Sequence, residues 1–485
     1  MLFAFALSSL NIMLNQGAQG KKEMSQSERQ GLLRDTADRA ARYLETLDKR
    51  AVAADPDSVK TLRDNLETDL PLTGQQDDHI IDFLDTYGGP ATVASAAGRY
   101  FGFVTGGALP ASLAANWLAN CWDQNGFSSV SSPALAAFED TALRWLKQAL
   151  GLPAPAGGAL VTGATLANFT CLAAARHKVL KDAGWDVEAK GLFGAPEITV
   201  IVGEEVHSTV YKVLAMLGLG RDRVLKLPVD EQGRILSRDL PTLNGPTILC
   251  LQAGNVNSGG FDPASDLVPW AQAAGAWVHV DGAFGLWAAV SDDHKHLVAG
   301  FADADSWATD AHKWLNVPYD NGVAIVRDAD ALHQAMAISA AYLPPGATRD
   351  AIEYTPDSSR RARGVDIWAA LQSLGQQGLS ELIGRNCRQA KTIADDLEKA
   401  GATILNDVVL NQVVVAFDDD DTTNRVIQFV QEDGTCWCGG TIWRGKAAMR
   451  ISVSSWATTD EDITLSAAAI VRALDRARQP GATST

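Results

Sequence analysis

A carboxylate and an amine stand 32 residues apart in the stretch 277–316, WVHVDGAFGLWAAVSDDHKHLVAGFADADSWATDAHKWLN. Asp281 closes the apolar, β-prone run 277–280 and is followed by glycine. Lys313 lies just past a second short run, 306–309, within Asp310-Ala311-His312-Lys313-Trp314. The separation leaves room for a helical crossover between two parallel strands. Both groups would then share the carboxyl edge of one sheet, where open α/β folds bind ligands. A lysine amine forms a Schiff base with an aldehyde cofactor. An aspartate facing a pyridine nitrogen keeps that nitrogen protonated, so the ring draws electrons from a substrate Cα. Pyridoxal 5'-phosphate chemistry uses both. Singly, an aspartate after a strand is a turn or a cap, and His-Lys is a surface feature. The ordered pair carries the reading.

HVDGAFG together with DAHKWLN resembles the group II pyridoxal-dependent decarboxylases, which include the aromatic amino acid and glutamate decarboxylases. The resemblance spans about residues 30–475. It is strongest at those two motifs, moderate at TGAT and EEVH, and weak elsewhere. It implies Lys313 as the Schiff-base lysine and Asp281 as the partner of the pyridine nitrogen. It implies His207 as the imidazole stacked on the cofactor ring, and Ala164 and Thr165 as the phosphate-binding pair. His312 matches the family's His-Lys pair and could reach the phosphate or the substrate carboxylate. The implied fold is α/β: an aspartate aminotransferase-type large domain with a mixed, mostly parallel sheet, an N-terminal helical segment and a small C-terminal α+β domain. The family's N-terminal segment packs on a partner subunit, so a homodimer is expected.

Local sequence fits these assignments independently. The small-residue turn Gly163-Ala164-Thr165 opens a helix, and such a start lets N–H groups and the helix dipole meet an anion. His207 lies at a strand-to-helix transition on the same sheet edge; a helix-capping or core histidine is the plain alternative. Ala283, two residues past Asp281, is small where a ring face must approach. Three positions depart from the family pattern: Leu166 replaces a frequent acidic residue, Asn255 a frequent threonine, and Asp310 a frequent asparagine. A carboxylate beside phosphate would be repelled, so Asp310 is left out of the phosphate set.

Other candidates rest on position. Tyr342 falls 29 residues past the lysine in a Pro-Pro-Gly-broken loop. It resembles the tyrosine of the family's active-site loop, which can return a proton to Cα as a general acid; anchoring its own loop is the alternative. In YFGFVTGGALP, Phe101 and Phe103 either close a buried turn or wall the substrate pocket. Among Arg360, Arg361 and Arg363, Arg361 best matches a family arginine near the site, with Arg360 as its neighbour in contention. A guanidinium suits a carboxylate or phosphate. Arg450, inside an apolar strand, is expected to be buried and paired.

The 485 residues exceed a usual single domain. The expected division is an extension outside the fold (1–23), an N-terminal helical segment (24–150), a cofactor-binding large domain (151–380), a small C-terminal domain (381–478) and a tail (479–485). Residues 1–23 are apolar but lack a preceding basic residue. They are too short and polar-ended for a membrane span, and they make a poor export signal. A net charge of −17 argues against nucleic-acid or acidic-membrane partners. Six scattered cysteines, with only Cys436 and Cys438 close together, read as free thiols in a reducing cytoplasm rather than a metal site. The expected activity is Cα decarboxylation of a small-molecule L-amino acid to an amine and carbon dioxide. The rivals are an aldehyde lyase or aminotransferase of the same fold, and a non-catalytic scaffold.

Overall fold

A computed structural model describes residues 24–337 and 349–479. Seven short strands frame it: β1 (Gly157–Val161), β2 (Thr199–Gly203), β3 (Leu225–Leu227), β4 (Thr247–Gln252), β5 (Trp277–Asp281), β6 (Ser306–Asp310) and β7 (Gly322–Val326). They form one sheet in the order β1-β7-β6-β5-β4-β2-β3. Only β7 runs against the rest, antiparallel to both β1 and β6. Strands β4 to β7 are buried at every residue. That explains why they are largely apolar without strict alternation: a sheet covered on both faces has no solvent-facing side, and the polar residues it does hold are buried.

The N-terminal helices α1 (Gln26–Thr46), α2 (Pro56–Leu66) and α3 (Asp77–Phe83) bury none of their residues. Helix α1 starts at a reciprocal Ser25–Glu28 capping box and ends at Thr46. Leu33 and Leu44 of its apolar stripe are exposed. Helices α4 (Pro110–Trp122) and α5 (Pro133–Ala149) both open on proline, which needs no N–H partner there. Helix α6 (Ala164–Asp182) is buried along most of its length and packs against β5, β6 and β7. Then come α7 (Ser208–Met216), α8 (Ala264–Ala273), α9 (Ala329–Met336) and the long α10 (Arg363–Lys399), kinked at Gly375.

One expectation changes. The connection from β5 to β6 is a right-length crossover, but it holds three 3-10 turns, Gly285–Val290, Lys295–Val298 and Phe301–Asp303, in place of an α-helix. Gly282, Gly285, the polar run 291–295 and Gly300 leave no uninterrupted stretch that could repay helix nucleation. The domain division expected at residue 380 falls a few residues beyond Gly375, whose non-helical backbone breaks α10 into two helical stretches.

A second, antiparallel sheet holds β8 (Thr403–Ile404), β9 (Gln412–Ala416), β10 (Gly439–Trp443) and β11 (Lys446–Ser452), ordered β10-β11-β9-β8. Helices α11 (Asp420–Asp433) and α12 (Asp460–Ala477) complete it. The acidic run 418–421 leads into α11. Asp419 caps α11 by accepting from Thr422 N, and two further aspartates fill the first turn, where the dipole favours them. Phe101 lies in this sheet's core, 1% exposed, with Ile451 and Phe429. Among the described residues, no helix is long and apolar enough to cross a membrane.

Arg360 is a structural staple. Its side chain is 1% exposed; Nη1 pairs with Glu139 at 2.6 Å and Nη2 donates to Leu160 O at 2.6 Å, so it ties the segment before α10 to α5 and β1. Removing Arg360 leaves the buried Glu139 with only the longer Arg349 contact at 3.4 Å. Arg360→Met should lower stability by about 3–5 kcal/mol, seen as unfolding at a lower urea concentration. An unchanged urea midpoint would show that Glu139 finds another partner.

Candidate active site

The carboxyl ends of β4, β5 and β6 open onto one cavity of about 320 Å³. Asp281 ends β5 on its floor, and Lys313 follows β6 on its wall. His207, Ala164, Thr165, Ala283 and His312 line the same space. These seven residues come from four separate segments of the chain, and the sheet topology brings them to one edge.

Asp281 is buried. Its Oδ1 accepts from Ala283 N at 3.2 Å and its Oδ2 from Asn168 Nδ2 at 3.1 Å. His207 caps α7: its Nδ1 accepts from Thr209 N at 3.4 Å and lies 2.7 Å from the Thr209 hydroxyl. With Nδ1 as the acceptor, the neutral ring carries its proton on Nε2. Burial lowers the pKa of His207; Asp281 opposes this, while the charges of Lys313 and Arg450 add to it. His312 Nδ1 accepts from Asn321 N at 3.0 Å, and burial lowers this ring's pKa too. Both imidazoles therefore stay neutral to a lower pH than a free histidine.

Asp310 is the residue that sequence reasoning set aside and the structure brings in. It is buried, and its Oδ1 accepts from Ala164 N at 2.6 Å while its Oδ2 lies 3.0 Å from Lys313 Nζ. The N–H of Ala164 is thus engaged by a carboxylate. The next N–H groups of α6, from Thr165 onward, are the open end of the helix. Gly163 and Gly322 make this corner possible, because a Cβ on Gly322 would sit 2.4 Å from Gly163 Cα. Thr162, Thr209, Gln252, Val256 and Phe284 also line the cavity. Nothing local in their sequence marks them; they arrive on strand ends and following turns.

Several candidates lie elsewhere. Phe101 belongs to the core of the small sheet, and Phe103 is 65% exposed beside Trp437; neither lines the cavity. Their loop does reach the site, through Gly106: a Cβ there would fall 1.8 Å from Lys313 O. Arg361 pairs with Asp366 and donates to Tyr319 O, outside the cavity lining. Asn255 builds its own loop by accepting from Asn257 N and Ser258 N. Tyr342 lies outside the described residues. Arg450 was expected to be paired, yet its side chain has no hydrogen bond or ion pair among the described residues, while its backbone joins the β11 ladder. Burial lowers its pKa, and its charge is felt at His207.

The family model for the pyridoxal-dependent decarboxylase conserved domain matches residues 61–418. The chain is 24% identical over 424 residues to an aromatic-L-amino-acid decarboxylase of Bacillus atrophaeus, covering 82% of this chain and 86% of that protein. It is 26% identical over 368 residues to a phenylacetaldehyde synthase of Arabidopsis thaliana, covering 70% of this chain and 74% of that one. The crystal structure of Oryza sativa TDC with PLP and tryptamine superposes with a TM-score of 0.85 at 21% identity, over 94% of this chain and 99% of that one. This last likeness speaks to fold.

The donor set fits pyridoxal phosphate. The cavity offers an acceptor-only carboxylate, an amine, a flat neutral imidazole and a helix N-terminus within one enclosure. One feature resists: the charge of Asp310 stands at the anion end. Asp310→Asn keeps an oxygen for Ala164 N–H and removes that charge. Inorganic phosphate should then bind about tenfold more tightly, a conservative share of the repulsion between nearby like charges at an effective dielectric of about 20. Titration calorimetry reads this. Equal affinities would mean that the anion sits beyond the reach of Asp310.

Proposed function

This chain belongs to the pyridoxal-dependent decarboxylase family, and from that premise we propose that it converts an L-amino acid to the corresponding amine and carbon dioxide, with Lys313 as the covalent anchor of its cofactor. The single observation that carries the reading is the convergence of Lys313, Asp281 and His207 on one cavity beside the start of α6. The chain is a PLP-dependent carboxy-lyase; the substrate, the product branch and the residue roles are the proposal. When bound, pyridoxal phosphate supplies an electron sink for the bond that breaks at Cα.

The protein's own contribution is geometry and charge. Asp281 would hold a proton on the ring nitrogen. His207, kept neutral by burial, would face the ring without adding charge. Thr165 and the open end of α6 would receive the phosphate, with His312 in the same lining. Arg450, whose side chain has no hydrogen bond or ion pair among the described residues, is the cation available to a substrate carboxylate. Tyr342 is assigned the proton return to Cα, from its position in sequence.

A homodimer is part of the proposal. Helices α1 to α3 leave Leu33, Leu44, Leu66 and Ile80 exposed and bury nothing within one chain, as expected of a segment that packs on a second copy. The six free thiols suit a cytoplasmic location. The matched relative named as an aldehyde synthase keeps an aldehyde product as the second reading.

Cofactor-loaded protein incubated with an amino-acid panel should release carbon dioxide and amine from at least one member. Borohydride should abolish the visible absorption and leave the label on Lys313. Keto acid with amine-form cofactor would instead make it an aminotransferase, and an unlabelled Lys313 would overturn the anchor. Tyr342→Phe should retain cofactor binding and carbon dioxide release while diverting product toward aldehyde. Wild-type amine yield from that variant would remove Tyr342 from the mechanism.

A further inference from the structure

Behind Asp281 lies a line of four buried side chains. Trp277, His279 and Asp281 alternate along β5, so the period of two puts all three on one face of the strand. Ser306 opens the neighbouring β6 directly opposite His279, and Asn168 reaches down from the second turn of α6. Trp277 Nε1 donates to Ser306 Oγ at 2.9 Å. Ser306 Oγ lies 2.9 Å from His279 Nδ1, His279 Nε2 lies 2.8 Å from Asn168 Oδ1, and Asn168 Nδ2 donates to Asp281 Oδ2 at 3.1 Å. All are buried, and Ser306, His279 and Asn168 are wholly so.

The ends fix the direction of every bond between them. An indole N–H can only donate and a carboxylate can only accept. Ser306 accepts from Trp277, so its own proton points at His279 Nδ1. Burial pushes the pKa of His279 down to about 3, so the ring is neutral with one N–H, which must be on Nε2. That N–H meets the Asn168 oxygen, which turns the Asn168 amide nitrogen toward Asp281. The reverse orientation would set an amide oxygen against the carboxylate. No other arrangement satisfies all five groups.

We propose that Trp277, Ser306, His279 and Asn168 are positioning residues: a one-way hydrogen-bond chain that holds Asp281 fixed as an acceptor and so sets the protonation of the cofactor's ring nitrogen. The inference rests on the reading of Asp281 as the partner of that nitrogen. The chain is complete only when it ends on a carboxylate. Breaking it leaves a buried charge short of one donor, and the proton shared with the ring can pass to Asp281.

The test is the nitrogen-15 resonance of ring-labelled pyridoxal phosphate in the holoenzyme, with steady-state kinetics beside it. Asp281→Asn comes first. If it leaves the resonance unchanged, both the reading of Asp281 and this inference fall. If it moves the resonance, Asn168→Leu and His279→Phe should move it the same way, toward unprotonated pyridine. Each should also lower kcat about tenfold, the equivalent of one pKa unit, with KM within about twofold. His279→Gln, whose amide can accept from Ser306 and donate to Asn168, should restore most of the wild-type resonance. Should the central variants fail to fold, Ser306→Ala at the far end should give a smaller shift in the same direction. Wild-type resonances in folded Asn168→Leu and His279→Phe, or in Ser306→Ala if only that variant folds, would overturn the chain while leaving Asp281 in place.

Discussion

A buried carboxylate with both oxygens accounted for is the constraint on which the site depends. Asp281 ends a strand that is covered on both faces, in a setting where an unpaired charge would be strongly unfavourable. The backbone answers one oxygen through Ala283, and α6 answers the other through Asn168. Those two bonds set the floor of the cavity. They also fix where α6 must start, because Asn168 and Thr165 belong to the same helical opening. The anion end of the site is thereby placed relative to its acid end by a single rigid helix.

The same cavity carries an opposing element. Asp310 joins the start of α6 to the lysine, accepting from Ala164 and pairing with Lys313. It holds the amine against the wall, and it also places negative charge where a phosphate would approach. Geometry and electrostatics pull in different directions here. The bond at 2.6 Å to a helix N-terminal N–H shows how the carboxylate is tolerated: the dipole that would favour a phosphate already favours Asp310. The neutral state of His207 and His312 follows from burial, so neither ring offsets that charge near neutral pH.

The small sheet serves the site from a distance. Gly106, in a loop that crosses from it, packs on the Lys313 carbonyl, and Arg450 brings its guanidinium within electrostatic reach of His207. Neither residue touches Asp281. Both show that the cavity is shaped by segments far outside the strands that carry its polar groups, including one from the last hundred residues.

What the sequence determined by itself was local and periodic. Apolar runs marked each strand that ends at the site, small residues marked the start of α6, and the ordered Asp281–Lys313 pair with its motifs marked the chemistry and the family. These are legible because hydrophobic period and turn residues act over a few positions. The structure decided what depends on which groups meet in space. Arg360 rather than Arg361 became the buried ion pair, because Glu139 of α5 lay beside it. Phe101 went to the small-sheet core and Phe103 to the surface. The 3-10 crossover and the antiparallel β7 were settled by packing, which overrides weak local preference. Asp310 against Ala164 and the line from Trp277 to Asp281 join residues more than a hundred positions apart. A hydrogen bond is set by distance and direction, and a linear sequence carries neither until the chain has folded.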